Sequence, residues 1–298
     1  MKTKKKLSLL KKIVLKVANP IIKRTSLLKD APRGESCYIF GDGISVKWFD
    51  LSSFSDKPVI SLNKIVLHND SNFLNLKYGI FLEPWYFYPY FWDRLDSKKI
   101  LNDGIHKIYR KIIKSRPEVP FFTHLSNYPV LWDNNIYYLF QAIQDPDPDS
   151  KFSKFLDECY LSGENIYKGS LHCAVSLAIH MGFKEIFLVG CDYTHEKARS
   201  QHWFEKGKGT LTPGGSSNQG NSTYQKNFFN IASKYVKITT ITVEGKGNVL
   251  PSITYSDFTG KQASFKENQD LIDISIMNAL HKSPWYNIFK LKYPKHDE

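Results

Sequence analysis

An aspartate, a tyrosine and a histidine follow closely on one short apolar run of this sequence. The run is Ile186–Val189; Gly190 ends it, and Asp192, Tyr193 and His195 come next. A carboxylate can orient a neighbouring group, a phenol can donate a hydrogen bond, and an imidazole can exchange a proton near neutral pH. These side chains are therefore candidates for catalysis or binding. The alternative is that Asp192 only caps the turn after the run.

The preceding residues predict the elements that would position these side chains. In Ser170–Met181 the apolar residues recur at spacings of three and four, and Gly182 follows as a C-cap, which predicts a helix. The run Ile186–Val189 is bounded by turn residues, as in a strand that is buried on both faces. Together they form half of a parallel α/β unit. In open α/β sheets ligands bind outside the carboxyl ends of the strands, where the three polar side chains would lie.

A second strand and turn lie near the start of the chain. Cys37–Phe40 predicts a strand, Gly41–Gly43 a tight turn that lets the backbone approach a ligand, and the residues up to Asp50 a helix. The N-terminus of such a helix would direct N–H groups at a phosphate. The full GxGxxG dinucleotide pattern is absent, because no glycine follows Gly43 in the residues up to Asp50.

The remaining periodic segments complete an α/β pattern. Short strands are predicted to end near Asn63 and to cover Gly79–Leu82 and Lys237–Val243, and helices are predicted over Tyr224–Tyr235 and Gln269–His281. We therefore predict a Rossmann-like, mainly parallel sheet with helices on both faces. The glycine-rich residues 205–222 carry almost no apolar side chains, which favours a mobile loop long enough to act as an active-site lid.

The charge of the chain is concentrated at its N-terminus. Of the net charge of +12 over 298 residues, residues 1–30 contribute +9, so the remainder is nearly neutral. No CxxC pair occurs, and most of the cysteines lie in apolar settings, as expected for reduced thiols in a cytosolic protein. The four cysteines are Cys37, Cys159, Cys173 and Cys191.

Residues 1–30 predict a basic amphipathic helix. Its apolar face would carry Leu10, Val14, Val17 and Ile21, with lysines opposite. Such a helix lies on an anionic membrane surface, with about 1 kcal/mol of attraction per Lys or Arg. A solvated tail and a nucleic-acid-binding arm are the alternatives, but the latter has no need of an apolar stripe. We predict three parts: a membrane-surface arm, 1–30; a Rossmann-like domain, 31–265; and a helical tail, 266–298.

Two segments of the sequence resemble one family. The first is GDGISVKWFD with the following SLN, and the second is GSLHCAVSLAIHMGFKEIFLVGCDY. They are similar to the bacterial sialyltransferases of glycosyltransferase family 42, and to the related domain of motility-associated-factor proteins and archaeal pterin pyrophosphokinase-like proteins. Matches to the family's nucleotide site are found at Gly41, Asp42, Gly43, Ser45, Asn63 and Ser170, with Asp42 in place of an Asn. The resemblance implies that Asn63 contacts the sugar of the nucleotide.

The resemblance also implies roles for the residues after the Ile186–Val189 run. Asp192 matches an Asp of the family, Tyr193 and Thr194 follow where a Tyr holds the leaving phosphate, and His202 lies where a second such Tyr falls. The family's lid carries a histidine base, but the lid stretch SSNQGNSTYQ has none. Either another residue is the base, for which His195 and His202 are the candidates, or the chemistry differs from that of the family. The family's arginine is also missing, and Lys168 is the nearest cation.

The resemblance thus implies that residues 31–265 form a nucleotide-sugar-binding catalytic domain. This domain would transfer a CMP-activated acidic sugar to build a bacterial surface glycan, such as lipopolysaccharide, capsule or O-antigen. The enzyme would lie peripherally on the inner, cytoplasmic face of the plasma membrane. It would bind a donor and a glycan acceptor but no nucleic acid. Its oligomeric state does not follow from the sequence. No metal is expected, because the leaving group is a monophosphate. One alternative is an ATP- and Mg-dependent pyrophosphokinase-like enzyme that uses Asp42 and Asp192; another is a non-catalytic membrane-peripheral scaffold.

Overall fold

The structure is a computed structural model, and it describes thirteen stretches of the chain. They are residues 13, 16–30, 34–82, 87–88, 90–92, 99–101, 105–139, 169–195, 197–199, 201–213, 223–244, 247 and 249–276.

Eight of the described strands form one sheet in which every pair of neighbours is parallel. They are β1 (Ser36–Phe40), β2 (Val59–Leu62), β3 (Leu76–Phe81), β6 (Phe121–His124), β7 (Ile136–Leu139), β8 (Glu185–Val189), β11 (Lys237–Thr242) and β12 (Ser252–Thr254). Two antiparallel hairpins stand apart from this sheet: β4 (Tyr90–Trp92) with β5 (Lys99–Leu101), and β9 (Lys197–Arg199) with β10 (Leu211–Pro213).

The strand order β12-β11-β8-β1-β2-β3-β6-β7 places the first strand near the middle. The chain builds outward from β1 through β2, β3, β6 and β7, and then returns to the other side of β1 as β8. The direction of winding therefore changes between β1 and β8. Ligands of open α/β sheets bind at this topological switch point, beyond the carboxyl ends of the two strands.

Helices cover both faces of the sheet, as predicted. The described helices are α1 (16–22), α2 (Ile105–Ser115), α3 (Ser170–His180), α4 (Thr223–Ala232), α5 (Tyr255–Thr259) and α6 (Asn268–Leu271). In β1, Cys37 and Ile39 enter the core on one face, whereas Tyr38 and Phe40 enter the core on the other. A strand buried on both faces needs a continuous apolar run, which is why the sequence pattern revealed β1 and β8.

The core of the domain begins earlier than the predicted boundary at residue 30. Ala18, Ile22 and Leu28 are buried in the same core as β1 and β2. The Arg24 guanidinium donates to the backbone carbonyls of Asn134 and Ile136. The second half of the predicted arm therefore also packs on the domain core, because α1 has a second apolar face that faces the sheet.

The C-terminal helix predicted over Gln269–His281 is also interrupted. Helix α6 ends at Leu271, and Ile272 is extended, with φ −144° and ψ 142°. The Asp273 carboxylate then accepts the N–H groups of Ser275 and Ile276, which starts a new turn. Leu271 and Ile272 are buried, so this part of the predicted tail, 266–298, belongs to the domain core. Residues after 276 lie outside the described part of the chain.

Three of the four cysteines, Cys37, Cys173 and Cys191, are buried free thiols, and Cys159 lies outside the described residues. Within the described ranges, no helix combines the length and the apolar character that crossing a membrane requires.

Candidate active site

Two turns lie side by side at the switch point. Residues Gly41–Gly43 continue β1, and Gly190–Asp192 continue β8. The Gly41 N–H donates to the Val189 carbonyl and the Gly43 N–H to the Gly190 carbonyl, each at 2.8 Å. The pairing of the two strands therefore extends into the turns and brings together the two segments that the sequence resemblance singled out.

The glycines of these turns are required by the turns themselves. A Cβ atom on Gly43 would lie 2.5 Å from the Gly190 carbonyl oxygen and 2.6 Å from the Asp192 carboxylate. Gly190 has φ +65°, and its Cβ would lie 2.6 Å from the Val46 side chain. At Gly43 the neighbouring turn by itself requires glycine, so the expected approach of a ligand to the Gly41–Gly43 turn stays a prediction.

Asp192 joins the two turns. Its side chain is 3% exposed, and its carboxylate accepts hydrogen bonds from the Ser45 backbone N–H, at 2.9 Å, and from the Ser45 hydroxyl. Asp192 is thus a cap of the neighbouring turn rather than of its own. This contact joins residues 147 positions apart in sequence, which spacing within either motif could not reveal.

The segment after Gly43 differs from the prediction. Ile44–Trp48 is a 3-10 helix of five residues, and the Ser45 N–H is bonded to Asp192. The predicted helix N-terminus with N–H groups directed at a phosphate is therefore not formed, since the first turn is short and the Asp192 carboxylate already accepts from it.

Asp42 connects the turn after β1, Gly41–Gly43 (the β1 turn), to the end of β2. Its carboxylate accepts the Lys64 backbone N–H, with distances of 3.0 and 3.2 Å to the two oxygens. Burial raises the pKa of the Asp42 carboxyl, and the nearby charges of Lys64 and His202 oppose that rise. Both carboxylates at the switch point thus accept hydrogen bonds from the protein.

Asn63 follows directly after β2 and carries two signs of a binding residue. Its φ is +44°, in the left-handed region that Asn tolerates better than most residues. Its Oδ1 atom is buried and has no hydrogen-bond partner within the described residues. A buried acceptor left unpaired costs about 1–3 kcal/mol, which a donor group on a ligand would offset.

His195 is held inside the protein. It is 4% exposed, and its Nε2 lies 3.1 Å from the Thr240 hydroxyl, which is also 3.1 Å from the Thr194 hydroxyl. Thr194 in turn donates to the Cys191 carbonyl at 2.7 Å. Burial lowers the pKa of His195, and the charge of Asp192 opposes this shift. Thr240 was missed by the sequence analysis; the signal was the pair of threonines at 240 and 242 in the buried strand β11.

His202 lies across the β1 turn and is only half-buried. It forms a backbone bridge with Gly43, and its Nδ1 lies 3.3 Å from the Asp42 carbonyl oxygen. Its ring stacks on Phe204 with a centroid distance of 5.1 Å. A proton on Nδ1 can be donated to that carbonyl, which leaves the lone pair on Nε2 available to accept a proton.

The start of the predicted lid is anchored. The buried Lys47 ammonium donates to the carbonyls of Glu205 and Gly207, at 2.5 and 2.6 Å, and lies 3.7 Å from the Glu267 carboxylate. Further on, Leu211–Pro213 pairs with β9. Residues 205–213 are therefore not the free loop that composition predicted, because Lys47 binds Glu205 and Gly207 and the last three residues pair with β9. The rest of the predicted lid, 214–222, lies outside the described residues.

A small cavity of about 20 Å³ adjoins Asp192 and His195, enough for roughly one water molecule. Arg199 lines it, forms an ion pair with Glu244 at 2.7 Å and lies 5.5 Å from the Trp48 ring centroid. Arg199 and its partners thus form part of the wall of the small space next to His195.

The other predicted site residues are Tyr193, Ser170 and Lys168. Tyr193 is half-buried in the turn after β8. Ser170 begins α3, whose N-terminus lies at the same edge of the sheet as the switch point because the helix precedes the parallel strand β8. Lys168 lies outside the described residues.

The fold and this site define a Rossmann-like α/β protein with a candidate ligand site at the switch point of its sheet. No family model matches the chain, and no curated protein matches its sequence. Solved structures of similar fold include the monofunctional α-2,3-sialyltransferase Cst-I from Campylobacter jejuni. It is 16% identical, with a TM-score of 0.47, over 87% of this chain and 93% of that chain.

Two further similar structures contain bound ligands. The sialyltransferase CstII from Campylobacter jejuni with the substrate analogue CMP-3FNeuAc is 14% identical, with a TM-score of 0.45, over 83% of this chain and 99% of that chain. The sialyltransferase CST-II with a trisaccharide acceptor and CMP is 14% identical, with a TM-score of 0.43, over 82% and 98%. At this level of identity the likeness concerns the fold.

Proposed function

We propose that this protein is a glycosyltransferase that transfers an acidic sugar, sialic acid or a related nonulosonate, from its CMP-activated form. The observation that carries the proposal is the direct hydrogen bonding between Ser45 and Asp192. It joins two motifs that each resemble the nucleotide site of one sialyltransferase family, and it does so at the position where α/β sheets bind ligands.

His202 is the general base of the proposed reaction. Its Nε2 takes the proton of the acceptor hydroxyl while the acceptor oxygen bonds to the anomeric carbon of the donor sugar. The bond from that carbon to the CMP phosphate oxygen breaks, and CMP leaves with the electron pair. Tyr193 supports the phosphate, and Asn63 Oδ1 accepts a hydrogen bond from the nucleoside. His195 is less suited to be the base, because it is buried and bonded to Thr240.

No metal is needed in this mechanism, because the leaving group is a monophosphate. The second candidate, an ATP- and Mg-dependent pyrophosphokinase-like enzyme, needs carboxylates free to hold a metal. Asp42 and Asp192 instead accept hydrogen bonds from Lys64 and Ser45. Among the described residues, no three His, Cys, Asp or Glu side chains converge as metal ligands. The two candidates are separated by turnover of CMP-sialic acid in EDTA, which only the first permits.

The proposal extends to the place of action, the inner face of the plasma membrane, and to the building of a bacterial surface glycan. Ile13 and Val17 support the membrane contact, because they are one helical turn apart and are 52% and 74% exposed. The exposed Lys16 and the charge of +9 on residues 1–30 favour an anionic lipid surface. The acidic sugar fits a glycan that is exposed at the cell surface.

Replacing both Ile13 and Val17 with serine is expected to lower partitioning onto anionic vesicles at least about tenfold, because two apolar side chains are lost from the lipid contact. Vesicle co-sedimentation measures this. The matched control is Ile274→Ser, which removes an apolar side chain of intermediate exposure, 65%, from another segment. Equal binding of the double variant and the wild type would contradict the membrane contact. Deletion of residues 1–24 is unsuitable, since it removes the buried Ala18 and Ile22.

A further inference from the structure

Lys64 occupies a defined position at the carboxyl edge of the sheet, directly after β2. Its backbone N–H is bonded to the Asp42 carboxylate, and its ammonium lies 4.9 Å from the centroid of the Phe204 ring. The same ring stacks on His202. Phe204 thus contacts both a cation and the imidazole that we propose as the base.

The other cations near the site have acidic partners. The Lys47 ammonium is bonded to two carbonyls and lies near Glu267, and Arg199 is paired with Glu244. Within the described part of the chain, the Lys64 ammonium has no carboxylate within ion-pair distance, and its charge acts on the buried Asp42 carboxyl from further away. An ammonium at a ligand-binding edge, without a salt bridge and oriented by an aromatic face, is suited to bind an anion from the ligand.

We infer that Lys64 binds the phosphate of the nucleotide donor, an inference that rests on the proposed function. An ammonium is a compact point charge that bonds well to phosphate oxygens. As the bond between the anomeric carbon and the phosphate oxygen breaks, negative charge grows on the phosphate, and Lys64 lies where a fixed positive charge stabilises that change. Lys64 thus takes the role of the cation that the sequence analysis sought at Lys168.

The inference also gives complementary roles to the neighbouring side chains of Asn63 and Lys64. The buried Oδ1 of Asn63 accepts a donor group from the nucleoside, while the next side chain along binds the phosphate. The end of β2 thereby recognises both parts of a nucleoside monophosphate. The bond from the Lys64 N–H to Asp42 fixes the backbone between the two side chains and does not involve the ammonium.

The test compares the affinities of CMP and cytidine for the full chain by calorimetry in EDTA. Lys64→Met is expected to weaken CMP binding about 10–100-fold, since a hydrogen bond to a charged group contributes about 1.5–3 kcal/mol. Cytidine affinity should be unchanged, because cytidine has no phosphate. Lys64→Arg should keep most of the CMP affinity. Lys64→Gln, which retains a polar side chain, should repeat the loss without a change in melting temperature.

The matched control is Lys208→Met. The Lys208 ammonium also lies 4.9 Å from an aromatic ring centroid, that of Phe265, so it reproduces the cation–π contact outside the switch point. This variant should bind CMP like the wild type. If Lys64→Met leaves the ratio of the CMP and cytidine affinities unchanged, the inference is overturned while the proposed function stands. If the wild type binds neither CMP nor cytidine, both are overturned.

Discussion

Replacing His202 with alanine is expected to lower the rate of sugar transfer by roughly 10²–10⁴-fold, the usual loss when a general base is removed. CMP affinity should be retained, because the imidazole acts on the acceptor. His202 suits the role of base because its Nδ1 contacts the Asp42 carbonyl, which holds the ring and leaves Nε2 free to accept the proton. Single-turnover measurements with CMP-sialic acid and an acceptor sugar give the rate.

Two variants separate the base from other effects. His202→Asn keeps a donor for the Asp42 carbonyl but lacks the second ring nitrogen, so it should lose as much rate as alanine. His195→Ala should instead lower the melting temperature, because it removes a buried partner of Thr240. Near wild-type turnover by His202→Ala, with turnover lost in a folded His195→Ala protein, would place the base at His195.

The second large effect is expected from Gly43→Val. Its Cβ would come within 2.6 Å of both the Gly190 carbonyl and the Asp192 carboxylate. Overpacking of this kind costs about 1–3 kcal/mol or more. Displacing Asp192 would also break its two bonds to Ser45, each worth about 1.5–3 kcal/mol as a bond to a charged group. We expect the free energy of unfolding, measured in urea, to fall by at least about 3 kcal/mol.

Gly169→Val serves as the control for this variant. A Cβ on Gly169 would meet no atom within 4 Å, and the residue has an extended φ of −171°. Its free energy of unfolding should fall by only about 1 kcal/mol, the usual cost of an unfavourable residue at a helix N-cap, which Gly169 occupies in α3. Wild-type stability of Gly43→Val together with lost CMP binding would instead mean that a ligand needs the space at Gly43, as the sequence analysis expected.

The sheet and its main helices could be predicted because burial leaves a local pattern. The run Ile186–Val189 is apolar throughout because β8 is covered on both faces, and α3 shows its helical period over eleven residues. The predicted ends of both elements lie within one residue of those in the structure. The parallel arrangement follows from this alternation of helices and buried strands.

Features that depend on contacts between distant segments could not be predicted from the sequence. The 3-10 helix after Gly43 is held by Asp192. Lys47 binds the carbonyls of Glu205 and Gly207, and the Glu267 carboxylate accepts the Gly207 N–H. A helical wheel also could not show that Ala18 and Ile22 pack on the sheet, since both faces of α1 carry apolar residues. Lys64 resembled any surface lysine until the structure placed it over Phe204.

Turnover of CMP-sialic acid by the wild-type chain, in EDTA and with an acceptor glycan, tests the central proposal most directly. The proposal predicts release of CMP and transfer of the sialic acid to the acceptor, at a rate that added magnesium does not change and that His202→Ala lowers. Absence of any CMP release, together with magnesium-dependent consumption of ATP by the same preparation, would contradict it and favour the pyrophosphokinase-like alternative.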